Sequence, residues 1–114
     1  MSDCLFCRII AGDVPATLIH TDDDLVAFED INPQAPLHAL IVPRRHIATL
    51  NDVTEADATW LGRMTTVAAT LAATRGHAAT GYRTVFNCNR NAGQTVFHVH
   101  LHVLAGRSFS WPPG

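Results

Sequence analysis

No apolar run in this chain approaches the roughly 18 residues that a membrane span needs. The N-terminus also lacks the basic-then-apolar order of a secretory leader, so a cytoplasmic protein with no membrane partner is expected. Cysteine is scarce: three residues, an odd number, argue against a disulfide framework. Charge is scarce too. With 16% charged residues and a formal net charge of −2, no global positive field recruits nucleic acid, so local donors must hold any anionic substrate. Hydrophobic residues make up 47% of the 114 positions, which predicts one soluble globular domain over 1–114 with a modest core.

The stretch Gly93-Gln94-Thr95-Val96-Phe97-His98-Val99-His100-Leu101-His102-Val103-Leu104 dominates the rest. Read as a strand over 93–104, its alternation sets His98, His100 and His102 on one face and Phe97, Val99, Leu101 and Val103 on the other. Three aligned imidazoles add nothing to a core. They either chelate a transition metal, or one is a nucleophile with the others as its proton and charge partners. The preceding Gly93-Gln94-Thr95 helps to decide, since a glycine, an amide and a hydroxyl entering a strand form an anion-binding concavity suited to phosphate. A chelating strand has no need of one. Carboxylates are absent from this stretch, so general-base work falls to imidazole or water.

Upstream, residues 4–11 read as a short helix ended by Gly12. Cys4 and Cys7 share its face, but no βαβ pattern surrounds them as a thioredoxin-like site would require. They are two buried thiols, or half of a zinc site whose other ligands lie elsewhere. Cys88 is an ordinary small apolar residue. Strands are expected at 17–21 and 25–29, joined by a solvated acidic turn, Asp22-Asp23-Asp24. The two prolines of Asp30-Ile31-Asn32-Pro33-Gln34-Ala35-Pro36 make a stiff loop in which Asp30 reads as a turn cap. A central strand over 38–43 runs into exposed Arg44 and Arg45, then His46. Residues 54–75 form the one long helix, opened by Thr54 with Asp57 three residues on and closed by Arg75 and Gly76, with an apolar stripe through Trp60, Met64, Val67 and Leu71. A strand over 82–87 and a terminal loop from Gly106 complete an α+β domain with a mostly antiparallel sheet of about five strands.

These residues resemble the histidine-triad (HIT) superfamily. His98-Val99-His100-Leu101-His102-Val103-Leu104 matches its His-x-His-x-His-x-x pattern, and Gly93-Gln94-Thr95 its phosphate loop. Phe28-Glu29-Asp30-Ile31-Asn32-Pro33-Gln34-Ala35-Pro36 and the terminal Trp111-Pro112-Pro113-Gly114 are similar to the HINT-type branch in particular. The resemblance implies a HIT-like fold that pairs into a homodimer with a continuous sheet, the tail 106–114 reaching toward the partner subunit. It implies hydrolysis of the P–N bond of a purine nucleoside 5'-phosphoramidate through a covalent nucleotidyl-histidine. His100 would attack, His98, His102, His46 and Thr95 would assist, and Asp30, Ile31, Asn87, Gly93, Gln94, Thr95, Val96 and Trp111 would bind the nucleotide. No cofactor is then needed for catalysis, while Cys4 and Cys7 with His46 and His98 would hold a structural zinc. His46 is thereby either a zinc ligand or a proton partner. The chain departs from the family at Asn89, where glycine is usual; Asn tolerates the left-handed backbone region, so the loop is expected to survive. The alternatives are a dinucleoside-polyphosphate hydrolase of the same superfamily, a non-catalytic nucleotide-binding module, and a metalloenzyme using the three aligned histidines.

Overall fold

The computed structural model describes residues 2–114. In chain order its elements are α1 (Leu5–Ile10), β1 (Leu18–Thr21), β2 (Leu25–Glu29), β3 (Leu37–Pro43), α2 (Ala58–Thr74), β4 (Tyr82–Phe86) and β5 (Leu101–Ala105), with three short 3₁₀ turns between them. The strands form one antiparallel sheet in the order β1-β2-β3-β5-β4, so β3 is central, as expected of its branched apolar run.

Every residue of β3 is buried because the sheet is covered on both sides. Leu37, Ala39 and Ile41 face α2, together with Leu25, Ala27, Leu101, Val103 and Ala105. The alternate residues Leu40 and Val42 face α1, with Val26 and Phe28, under Phe6 and Ile9. Phe6 meets Phe28 edge-to-face at 5.3 Å. Burial of each such side chain stabilises by roughly 1.5–3 kcal/mol, which is how a helix of only six residues stays in place.

The long helix begins later than its sequence suggests. Thr54 opens a 3₁₀ turn over Glu55–Asp57, and only from Ala58 is the geometry α-helical. Asp57 ties the junction by accepting from the Thr54 N–H (2.9 Å), the Trp60 indole N–H (2.9 Å) and the Arg45 guanidinium. Arg45 is therefore exposed, as expected, but paired. The acidic turn is more than a solvated run. Asp22 accepts from the Arg63 guanidinium of α2 at 2.5 Å and from the backbone N–H of Asp24 and Leu25, both at 2.8 Å. The Arg63 guanidinium beside it holds its carboxyl well below the usual carboxylate range, so the hairpin is pinned to the helix.

The largest departure concerns 93–104. Only Leu101–Ala105 is strand, because both ladders stop at Leu101: its partners Ile41 on β3 and Phe86 on β4 are the last in register. Residues 94–100 are irregular, with a bend over 96–98. Side chains still alternate from Val99 to Val103, yet Phe97 is half exposed and not in the core. The histidines lie on the α1 side and are covered, not solvated: His98 and His100 are buried. Among the described residues no helix is long and apolar enough to cross a membrane.

Candidate active site and metal cluster

The three aligned histidines do not converge on one point, which removes the reading of a metal held by all three. Each ring is held by a different partner. The Nδ1–H of His100 donates to the backbone carbonyl of His98 at 2.7 Å. That bond fixes the tautomer and leaves the Nε2 lone pair free. Burial pushes His100 below the ordinary imidazole range, against the opposing pull of the carbonyl bond and of Asp30. A neutral ring with an available Nε2 is what a nucleophile requires.

His102 is oriented by a residue that the sequence reading passed over. His38, at the start of β3, shares the α1 face with Leu40, and Leu40 is the register partner of His102. The Gln34 N–H donates to His38 Nδ1 at 3.0 Å, which leaves the proton on His38 Nε2. That proton is directed at His102 Nδ1, 2.9 Å away. His102 consequently carries its own proton on Nε2 and offers a donor toward the site. Asp30 stands 3.5 Å from His38 Nε2. Burial and repulsion from His100 and His38 lower the His102 pKa to about 4. Nothing near His38 in the sequence signals this role, because it depends on the β3–β5 register.

His98 has a different set of partners. Its Nε2–H donates to the Pro43 carbonyl at 2.8 Å. Its Nδ1 therefore presents a lone pair, 3.3 Å from Cys4 Sγ, 3.5 Å from Cys7 Sγ and 3.3 Å from His46 Nδ1; Cys7 Sγ and His46 Nδ1 are 3.4 Å apart. A tetrahedral zinc with bonds of about 2.3 Å to sulfur and 2.05 Å to nitrogen has N···N edges of about 3.3 Å and S···N edges of about 3.6 Å. The four residues fit that figure, so this cluster can hold a metal ion. Cys4 is the N-cap of α1 and Cys7 lies in its first turn, which brings both sulfurs to one point. Burial and the adjacent Cys4 raise the Cys7 thiol above its ordinary value, a shift that a bound cation would oppose. His46 thus belongs to this cluster and not to the His38–His102 pair.

Beside the histidines a cleft of about 240 Å³ is walled by Phe6, Ile9, Phe28, Leu40 and Val96, with Asp30, Ile31 and Thr95 at its edge. Its walls are apolar and suit a flat heteroaromatic ring. Ile31 is 94% exposed and forms a lip rather than a core contact. The Asp30 carboxylate accepts from the Asn32 N–H at 2.8 Å with one oxygen, as the turn-cap reading anticipates, and turns the other toward His38. Phe6, also missed from sequence, stands edge-on to His100 at 5.1 Å and to His98 at 5.9 Å.

The loop before the histidines is braced differently from expectation. The Gln94 side chain is buried and spent on the protein: its amide nitrogen donates to Ala48 O (2.8 Å) and Val96 O (3.1 Å), and its oxygen accepts from the Asn89 N–H (2.8 Å). It shapes the loop and leaves Thr95, which is exposed, as the nearby side-chain hydroxyl. Gly93 takes φ +86°. Asn89 has the expected positive φ, +66°, but its ψ of −171° is extended and lies outside the left-handed helical region that Asn favours. Asn87 is half-buried after β4, and Trp111 is 83% exposed.

This fold with these histidines defines the class of protein. The chain belongs to the histidine-triad (HIT) family. A family model described as "Scavenger mRNA decapping enzyme C-term binding" matches residues 3–110. An uncharacterized HIT-like protein of Synechocystis is 44% identical over 112 residues, covering 98% of this chain and 97% of that one. The purine nucleoside phosphoramidase of Escherichia coli K12 is 47% identical over 105 residues, covering 92% of this chain and 88% of that one. Among solved structures, a HIT family hydrolase from Legionella pneumophila Philadelphia 1 superposes with a TM-score of 0.96 at 50% identity, covering 98% of this chain and all of that one.

Proposed function

We propose that this protein hydrolyses the P–N bond of purine nucleoside 5'-phosphoramidates. The carrying observation is the His100 Nδ1–H bond to the His98 carbonyl, which leaves Nε2 as the nucleophilic atom. The 47% identity to the E. coli phosphoramidase over nearly the full chain supports the substrate class. The apolar cleft receives the base and the Asp30 carboxylate accepts from the ribose hydroxyls. His100 Nε2 attacks the α-phosphorus, the P–N bond breaks, and the amine leaves with the bonding pair and takes up one proton. The Thr95 hydroxyl, exposed at the edge of the cleft, passes that proton from solvent. Charge that develops on the His100 ring is met by the His98 carbonyl. The His102 Nε2–H, oriented by His38, donates to a phosphoryl oxygen. Water then attacks phosphorus, the P–Nε2 bond breaks, its electron pair returns to His100, and the water proton is lost to solvent.

The Cys4, Cys7, His46 and His98 cluster we assign to zinc. With four protein ligands it closes the coordination shell, so the ion is structural. Reduced thiols and a cytoplasmic location belong to the same reading. So does a homodimer in which the tail 106–114 reaches the partner, supported by the outer position of β4 and the exposed Tyr82 and Trp111. The test is a burst experiment with an adenosine phosphoramidate. Amine release of about one equivalent per chain ahead of steady state is expected for wild type and absent in His100→Ala. Turnover that survives in His100→Ala would exclude the covalent route.

A further inference from the structure

We infer that His98 is a positioning residue that couples metal occupancy of the Cys4–Cys7–His46–His98 cluster to the tautomer of the nucleophile. The inference rests on the phosphoramidase reading for its rate effect, but not for its structural one.

Residues 98–100 lie beyond the last register pair of both ladders, so the sheet does not hold the His98 carbonyl. Other tethers do. The His98 ring is fixed at one nitrogen by the Pro43 carbonyl and at the other by the cluster. The Val99 N–H donates to Ile47 O at 2.8 Å. All of these lead to one short segment, residues 43–47, and to the first turn of α1. The carbonyl thus held accepts the His100 Nδ1–H at 2.7 Å, which keeps the Nε2 lone pair free. If the cluster opens, the ring keeps only Pro43. The His98–Val99 peptide is then held through its N–H to Ile47 O, on a segment that His46 no longer anchors, so its carbonyl is placed less firmly as the acceptor that disfavours the His100 Nε2–H tautomer. A nucleophile with its proton on Nε2 cannot attack. Phe6 adds a second, steric link, since α1 carries both sulfurs and sets this ring against His98 and His100. The base cleft is less exposed to such a change, because Phe6 and Ile9 also pack on Phe28 and the core beneath.

The test compares zinc-loaded wild type, the same protein after chelation, and Cys4→Ser with Cys7→Ser, and it uses three readouts. ¹⁵N NMR of the His100 ring should report the Nδ1-protonated tautomer in the loaded protein and a mixture of tautomers after chelation. The kcat for an adenosine phosphoramidate should fall on the order of 10- to 100-fold, the range for loss of an outer partner that orients a reacting group. AMP affinity should stay close to that of the loaded protein. Added zinc should restore wild type and leave the double serine variant unchanged. A His100 tautomer that does not move while zinc leaves would overturn the inference, whatever the rate does. So would failure of wild type to bind zinc, or AMP affinity that falls in step with kcat, which marks a general structural role. Absence of phosphoramidate turnover in the loaded wild type would refute the activity reading instead, and the NMR comparison would still decide this one.

Discussion

Asn89 provides a sharp test of how the loop before the histidines is held. Its φ of +66° with ψ of −171° is a combination open almost only to glycine. A residue with a Cβ there carries strain of roughly 1–3 kcal/mol. Neighbours enforce the conformation: the Asn89 N–H is held by Gln94 Oε1 at 2.8 Å, and the Asn89 carbonyl accepts from the Gln94 N–H at 3.1 Å. Gln94 is itself locked by Ala48 and Val96. Asn89→Gly should release about 2 kcal/mol of strain and lose about 0.7 kcal/mol to the greater freedom of glycine in the unfolded chain. The net stabilisation is about 1 kcal/mol, or roughly 3–6 °C in Tm for a domain of this size. Differential scanning calorimetry at pH 7 checks it. In a Gln94→Ala background the gain should largely vanish, because the clamp that imposes the strain is gone, and the double-mutant cycle then gives its size. An unchanged or lower Tm for Asn89→Gly would refute the reasoning.

Two further outcomes follow from packing and charge. Gly106→Ala adds a Cβ only 2.8 Å from Pro36 Cβ and 2.9 Å from its Cγ, at φ +95°; the rigid ring cannot yield, and a loss of about 2–4 kcal/mol is expected. Gly81→Ala, at φ +109° with open space around it, isolates the backbone cost. Equal losses for the two would disprove the Pro36 contact, and a raised KM for nucleotide should accompany the Gly106 variant alone, since Pro36 ends the Asp30 loop. His102, lowered by burial to about 4 from an ordinary 6.5, is neutral in the folded state where the unfolded chain already protonates. Stability is therefore full above about pH 6.5 and falls as pH drops toward 4. The stability gap between wild type and His102→Gln should narrow across that window in urea titrations, and a constant gap would contradict the assignment.

Much of the molecule is written locally. The alternation of β2 and β3, the glycine after α1, the Thr54–Asp57 pair and the apolar stripe of α2 are short-range signals, and each element formed within a few residues of its expected place. The His-x-His-x-His spacing and the Cys-x-x-Cys spacing likewise announce chemistry, because only side chains at those intervals share a face. What spacing leaves open is which partner each group meets. Asp22 read as a solvated turn because Arg63, its partner, is 41 residues away on a helix. Gln94 read as a phosphate donor because nothing local reveals that Ala48 and Val96 claim its amide.

The sequence by itself determined most of the strands and helices and the family, since those follow from periodicity and from motifs of residues close in the chain. Tertiary structure alone decided the division of labour among the histidines. The antiparallel register of β3 and β5 brought His38 to His102, the end of both ladders at Leu101 released His98 from the sheet, and the docking of α1 drew its ring to Cys4, Cys7 and His46. A hydrogen bond acts over about 3 Å, and the residues it joins here are separated by as many as 94 positions in the chain, so only the folded packing could assign each imidazole its proton.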